Sequence, residues 1–356
     1  MRKTAIKNDF GLGTVRIKAK DLSIVEKTAS GWKESSKPFP NAMDVIFLFK
    51  KNNRFKCLID KKDPAFLKGC ISPDGLPQGA RIKILPDGSI LDKAFSLFSP
   101  HLTIHDQQTH DHWDVIYQNK GGTFSYDYTL EKKKANKNKK YKMVEEFAKK
   151  YPKLKKNVSL ALKDENDAFA LPLYTLLETH IRVGNEIYYK AHGHKGLTTL
   201  KKKDISIKGN WVTFNFVGKD GVPIKMTKKF PEIYIKRLKS LTNPMNPSSF
   251  VFVGENGHPI AEPHFKKAFK KYCGKEFYPH IVRSYYATSR VKDFIRKTKK
   301  PTKEQVNSLF LSIASDLGHK KFIKDENVWR EHIAVTVNNY IQPELVDLVK
   351  NSIVEG

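Results

Sequence analysis

Two arginines, a lysine, a histidine and a tyrosine in the second half of the chain have the side-chain types needed to work on a phosphodiester. Arg182 lies in His180-Ile181-Arg182-Val183-Gly184-Asn185-Glu186, at a glycine-broken bend between two helical patterns, and Gly196-Leu197-Thr198-Thr199-Leu200 follows it. The sequence holds ten arginines against fifty-five lysines. Lysine therefore supplies the bulk positive charge, and an arginine marks a place where the planar fork matters. Guanidinium grips two phosphate oxygens at once, whereas ammonium acts as a point charge. Lys219 sits in Phe214-Asn215-Phe216-Val217-Gly218-Lys219-Asp220-Gly221-Val222, a strand, a turn and a strand. Its glycines allow a tight turn and close approach to a phosphate backbone. Arg283 lies in His280-Ile281-Val282-Arg283-Ser284-Tyr285-Tyr286-Ala287-Thr288. On a helix His280 and Arg283 share a face, so both could reach one phosphate. Leu317-Gly318-His319 and Asn338-Asn339-Tyr340-Ile341-Gln342-Pro343 complete the set. Tyr340 is one of fourteen tyrosines, and it stands out by its place near the C-terminus with Pro343 shortly after it.

Taken in order, these segments resemble type IB DNA topoisomerases, the poxvirus and bacterial enzymes especially. Arg182-Val183-Gly184-Asn185-Glu186 with Gly196-Leu197-Thr198-Thr199-Leu200 resembles their RVGNE…GLTTL segment. The Lys219 turn resembles their F-x-G-K-x-G-V hairpin, whose lysine is catalytic. Arg283 matches the second arginine motif, and His280 matches the H-x-x-R form found in the related tyrosine recombinases. His319 matches L-G-H, and Tyr340 matches the nucleophile block. The resemblance implies that Tyr340, Arg182, Lys219, Arg283 and His319 are catalytic. Arg182, Arg283 and His319 would donate to the nonbridging phosphate oxygens in place of a metal. Tyr340 would form a covalent 3′-phosphotyrosine, and Lys219 would protonate the leaving 5′-oxygen. Neither ATP, a metal nor any other cofactor is implied. His280 and His332 are further candidates. Lys201, Lys202, Lys203 and Tyr285 are candidate DNA contacts, with helix packing as the alternative for Tyr285 and its neighbour Tyr286.

The chain departs from the family pattern in two places. Compact members put the histidine or asparagine about one short helix before the tyrosine. Here the interval is longer, as though a charged insert, Lys320 to Glu331, had been added. The usual S-K-x-Y approach is replaced by Thr336-Val337-Asn338-Asn339. His332, eight residues before Tyr340, is thus a rival to His319. The Leu-Gly context favours His319.

Composition fits this reading. At 356 residues the chain can form two domains, each with its own core. A formal net charge of +28 opposes compaction and calls for a polyanion, nucleic acid first and an anionic membrane second. Three scattered cysteines fit neither a disulfide framework nor a zinc site, and they point to a reducing compartment. The N-terminus lacks the apolar run of a signal peptide. No stretch approaches the ~20 apolar residues of a membrane span. An intracellular, DNA-associated monomer acting on double-stranded DNA is expected. His101, His105, His110 and His112 crowd twelve positions with Asp106 and Asp111 but lack a recognised ligand spacing, so no metal is assigned to them.

The expected fold is α+β. A small β-rich N-terminal domain, residues 1–132, would close over duplex DNA as half of a clamp. A mainly helical catalytic domain, residues 133–356, would carry a three-stranded β insert. Strands or turns are read around Val45–Phe49, Ala80–Leu85, Trp113–Tyr117 and Phe124–Tyr128. Glu131 to Tyr141, rich in lysine and asparagine, reads first as a solvated linker or mobile loop, with contact to DNA phosphates as a second use and, in a eukaryotic host, a nuclear-import signal as a third. Helical periodicity marks Val144 to Leu162, Phe169 to Ile181, Phe265 to Tyr272, His280 to Phe294, Lys303 to Leu317, Val328 to Tyr340 and Pro343 to Ile353. The three-strand insert spans Ile205 to Met226. Two other functions share these features. One is a tyrosine recombinase, expected to have a helical N-terminal domain. The other is a basic DNA-binding protein on a decayed topoisomerase scaffold.

Overall fold

The computed structural model describes residues 10–105, 113–119 and 122–354. The chain divides into two compact units, one up to Lys139 and one from Lys140. The fold is mixed, with strands concentrated before residue 130 and helices after it.

In the first unit, strands β1 (Val15–Ile17), β2 (Ile24–Thr28), β3 (Gly31–Glu34), β4 (Cys70–Ile71) and β5 (Pro77–Gln78) form one antiparallel sheet, in the order β3-β2-β1-β4-β5. Strands β6 (Ile82–Ile84) and β7 (Ile90–Phe95) form a hairpin, and β8 (Thr103–Ile104), β9 (Val115–Gln118) and β10 (Phe124–Asp127) form a small third sheet. The Val45–Phe49 run is helical rather than extended. It lies inside α1 (Pro40–Lys51), where Ala42, Val45, Ile46 and Phe49 are buried and Phe47 is exposed. Spacings of three and four put those buried residues on one helix face, and Pro40 suits a first helical turn because its missing N–H would be unpaired there anyway. A five-residue apolar run does not by itself distinguish a strand from a buried helix face.

The lysine-rich stretch from Glu131 to Tyr141 is also not a linker. It belongs to α2 (Leu130–Ala161), a continuous helix that begins in the first unit and runs on into the second. Lysine, glutamate and alanine are good helix formers. The apolar face downstream, Val144, Phe147, Leu154 and Val158, anchors the helix in the core.

In the second unit α2 is followed by α3 (Ala170–Thr179) and the short α4 (Glu186–His192). Strands β11 (Ile205–Lys208), β12 (Trp211–Val217) and β13 (Pro223–Lys229) form the antiparallel insert. Helices α5 (Glu232–Thr242), α6 (Glu262–Cys273), α7 (Ile281–Lys297) and α8 (Lys303–Asp316) come next. Strands β14 (Lys320–Ile323) and β15 (Val328–Glu331), then α9 (Ile333–Asn339) and α10 (Pro343–Asn351), complete the order. The helical reading of Val328 to Tyr340 fails over its first four residues, which pair with β14. Helices α4 and α5 lie outside the segments read as helical. Phe147, Phe269, Phe277 and Tyr234 are central to one core, and a second core gathers α7, α8 and Tyr340. Among the described residues, no helix is long and apolar enough to cross a membrane.

If the lysine-rich stretch is a working helix, Ala135→Pro should cost about 3 kcal/mol and remove helical signal. Urea unfolding with far-ultraviolet circular dichroism checks this. A solvated linker would accept the proline with no change in either.

Candidate active site

The first arginine is placed by two loops locked together through their backbones. Helix α3 ends at His180, whose φ of 56° is left-handed. Beyond it, Leu197 N–H donates to Arg182 O at 2.7 Å and Thr198 N–H donates to Val183 O at 2.7 Å. Gly184 has a φ of 94°, and a Cβ on Gly196 would stand 2.5 Å from both Arg182 O and Gly184 N. The Arg-Val-Gly and Gly-Leu-Thr-Thr motifs therefore act as one unit, and glycine is required at their contact. Asn185 then caps α4 by accepting from Tyr188 N–H at 2.9 Å.

The second arginine is buried. Arg283, on the first turn of α7, is 2% exposed. Its guanidinium donates to His180 O and, at 2.8 Å, to Leu317 O. It also lies 3.0 Å from His319 Nε2. Arginine only donates, so His319 Nε2 is the acceptor. The ring proton is then on Nδ1, which lies 2.7 Å from Thr336 Oγ1 and donates to it. Burial, followed by the charges of Arg283 and Arg182, holds His319 down at about 3, so the ring is neutral. Burial also brings Arg283 down to about 10, while neighbouring Tyr340 acts in the opposite direction. Arg283 Nε and His180 Nδ1 are buried without a hydrogen-bond partner.

Gly318 turns the chain from α8 into His319. Its φ is 64°, its N–H donates to Ser315 O at 2.9 Å, and His319 N–H donates to Ala314 O at 2.8 Å. This is the usual way to end a helix on a left-handed residue. A Cβ there would lie 2.5 Å from Ile224 Cδ1 on β13, so the turn is fitted against the sheet insert. The charged insert is the β14–β15 hairpin. Its base is closed by His332 N–H donating to His319 O at 2.9 Å. The long interval between His319 and Tyr340 is thereby folded out, and the chain resumes beside the point where it left.

Tyr340 follows α9 and is 3% exposed. Its ring centroid lies 4.7 Å from that of His319 and 5.1 Å from that of His280. The guanidinium carbons of Arg283 and Arg182 lie 5.2 and 5.9 Å from it, and Lys140 Nζ lies 5.5 Å from it. The backbone around Tyr340 is gripped on both sides. Lys140 Nζ donates to Asn339 O, Thr288 Oγ1 to Tyr340 O at 3.3 Å, and Tyr141 Oη to Ile341 O at 2.6 Å. Sequence reasoning missed Lys140, Tyr141, Thr288 and Thr336. The first two lie in the stretch read as a linker, and nothing in their spacing sets them apart.

Lys219 stands at the tip of the β12–β13 hairpin, in a turn that uses left-handed Asp220 (φ 62°) and Gly221 (φ 78°). It lines one pocket of about 120 Å³ with Arg182, Arg283, His319, Lys320 and His332. His332 joins the site through its backbone and the pocket wall, whereas His319 reaches Arg283 and Tyr340 directly. His280, at the start of α7, is held down at about 2 by burial and then by Arg283, Arg182, Lys140 and His319. Among the candidate DNA contacts, Lys203 is exposed. Lys201 Nζ lies over the rings of Tyr189 and Phe250, and Lys202 Nζ donates to Met245 O at 2.8 Å. Tyr285 packs its ring 4.5 Å from that of Tyr151 and 5.3 Å from that of Phe147, the packing role given as its alternative. Among the described residues no group of three metal-ligating side chains is assembled; His110 and His112 lie outside them.

The family described as eukaryotic DNA topoisomerase I, catalytic core, matches residues 129–339, more than half of the chain. The chain belongs to this type IB topoisomerase family. It is 24% identical over 231 residues to "DNA topoisomerase 1B" of Acanthamoeba polyphaga mimivirus, covering 60% of this chain and 65% of that protein. It is 34% identical over 101 residues to "DNA topoisomerase I" of Monkeypox virus, covering 28% of this chain and 32% of that protein. The match thus spans less than two thirds of the length of these relatives. A solved structure of the XerH site-specific recombinase bound to difH substrate aligns with 48% of this chain and 46% of that one, at a TM-score of 0.33 and 16% identity.

Two outcomes follow from the site. If Tyr340 is the nucleophile of a DNA cleavage reaction, Tyr141→Phe, which removes only the hydroxyl on Ile341 O, should slow that cleavage roughly tenfold with little change in DNA affinity, because a loosened Tyr340 loses alignment; single-turnover cleavage and equilibrium binding check it. His180, His280 and His319 all have folded-state values below the ordinary histidine value of 6.5. The unfolded chain therefore takes up more protons as pH falls through 6.5, and stability present above that value should be lost progressively towards pH 3. Thermal midpoints across this range, with a shallower slope in His280→Gln, check the sign.

Proposed function

We propose that this chain is a type IB DNA topoisomerase that relaxes duplex DNA by cutting and resealing one strand through Tyr340. The observation that carries the reading is the convergence of Arg182, Arg283, His319 and Lys140 on the ring of one buried tyrosine. Tyr340 gives its phenolic proton to water, a bond from its Oη to phosphorus forms as the bond to the 5′-oxygen breaks, and that oxygen takes a proton from Lys219. Resealing reverses these transfers. The 3′-phosphotyrosine conserves the bond energy, so ATP is not needed. Arg182 and Arg283 stabilise charge on the nonbridging oxygens, and the orphaned Nε of Arg283 is a donor that a phosphate oxygen would satisfy. His319 joins them once its Nε2 carries a proton. An entering phosphate favours that proton by offsetting the two guanidinium charges that oppose it. Lysine-rich surfaces hold the DNA backbone with little base readout. A monomer suffices, and the β-rich unit, residues 1–132 in this scheme, supplies a second DNA-gripping surface.

The alternative is a tyrosine recombinase, and His280 against the ring of Tyr340 is the observation in its favour. The strand-rich first unit speaks for the topoisomerase.

Supercoiled plasmid should be relaxed in EDTA without ATP, whichever the sign of the supercoils. An absolute requirement for Mg²⁺ would overturn the mechanism. Arg182→Lys and Arg283→Lys should each lose most cleavage activity despite keeping their charge. His319→Ala should slow cleavage and religation together, and His332→Ala should change them little. Suicide-substrate kinetics would reverse the histidine assignment if the defect appeared in His332→Ala alone.

A further inference from the structure

The β14–β15 hairpin grows out of the pocket lined by Arg182, Lys219, Arg283 and His319. Its first strand begins at Lys320, directly after His319, and its second ends at Glu331, directly before His332. Lys320 and His332 both line the pocket. The cross-strand partners are Lys320 with Glu331, Lys321 with Arg330, Phe322 with Trp329 and Ile323 with Val328. Partners share a face and faces alternate along a strand. One face therefore carries the aromatic pair, with ring centroids 5.3 Å apart, and at its base the pair Lys320 and Glu331. The other carries Lys321 and Arg330 side by side, both exposed.

Like charges directly opposite one another weaken a hairpin. This two-stranded ribbon also has few means of stability of its own. Arg330 is partly offset by Glu326 at the tip, an exposed contact of small worth. An external anion would offset the pair more fully. The paired strands are four residues long, about 13 Å at the usual rise, or roughly four base pairs of duplex at 3.4 Å each.

We propose that the β14–β15 hairpin is a DNA-contacting finger: with the scissile phosphate in the pocket, Lys321 and Arg330 bind backbone phosphates within about four base pairs of it. This rests on the assignment of the pocket as the cleavage site. The hairpin supplies electrostatic grip, and the Phe322–Trp329 pair stiffens it from the opposite face. A two-stranded ribbon of this width also fits a DNA groove.

The test uses the full chain in a Tyr340→Phe background, so that binding is measured without covalent capture. The cleaved bond is first mapped with the unaltered protein. Binding to a duplex spanning that bond is then titrated across salt concentrations, with and without Lys321→Ala/Arg330→Ala. Two lost phosphate contacts should lower the slope of log affinity against log salt by about 1.8, at about 0.9 per phosphate. Methylphosphonates placed within four base pairs of the cleaved bond should weaken the hairpin-intact protein more than the double variant. An unchanged slope, or equal weakening of both proteins, would overturn the proposal and leave the hairpin to a role away from DNA. Absence of any cleaved bond in the unaltered protein would instead overturn the functional reading, so the two failures are distinct. Both altered residues are exposed, and a thermal midpoint matching the parent confirms that the variant is folded.

Discussion

A buried guanidinium organises this site. Arg283 is held by backbone carbonyls and a neutral histidine, and among the described residues no carboxylate forms an ion pair with it. Removing such a charge from water costs several kcal/mol, and hydrogen bonds to a charged group return about 1.5–3 kcal/mol each. The carbonyls that stabilise it come from the ends of two helices, His180 after α3 and Leu317 after α8. Each end must stop where it does. The left-handed residues His180 and Gly318 enforce those stops. An acidic partner would neutralise the positive charge; carbonyl dipoles hold the guanidinium without cancelling it, which leaves that charge for the phosphate of the proposed reaction.

The same constraint explains His319. Its neutral form accepts from Arg283 and donates to Thr336, which ties α7, the end of α8 and α9 together through one imidazole. The residue after α9 is Tyr340. Both neighbouring carbonyls are held from α2, so the candidate nucleophile is positioned by backbone on two sides and by cations over its ring. The hairpin between His319 and Tyr340 leaves this network intact because its two ends are joined by one hydrogen bond.

The sequence made Arg182, Lys219, Arg283, His319 and Tyr340 legible as candidates; the structure lines one pocket with the first four and sets Arg182, Arg283 and His319 against the ring of Tyr340. Their motifs combine rare residue types with glycines whose conformations are required. Gly196 cannot carry a Cβ without striking Arg182 O, so the two loops needed to be read together. The strand insert and most of the C-terminal helices were legible from period alone. Less legible were features that depend on tertiary context. Val45–Phe49 is too short for its period to separate strand from helix. Glu131 to Lys140 is almost wholly polar and gains its helix from the packing of Tyr141 and the residues beyond it. Lys140 and Tyr141 acquire meaning only when Asn339 and Ile341 fold against them, some two hundred positions away.

The measurement that reaches the centre of this account is identification of the residue that becomes joined to DNA. A suicide duplex traps the covalent complex, protease digestion leaves a nucleotide-tagged peptide, and mass spectrometry assigns the tagged side chain. A nucleophilic Tyr340 requires a phosphodiester on its own hydroxyl, linked to the 3′ end of the cut strand. A tag on another tyrosine, or a 5′ linkage, would contradict it.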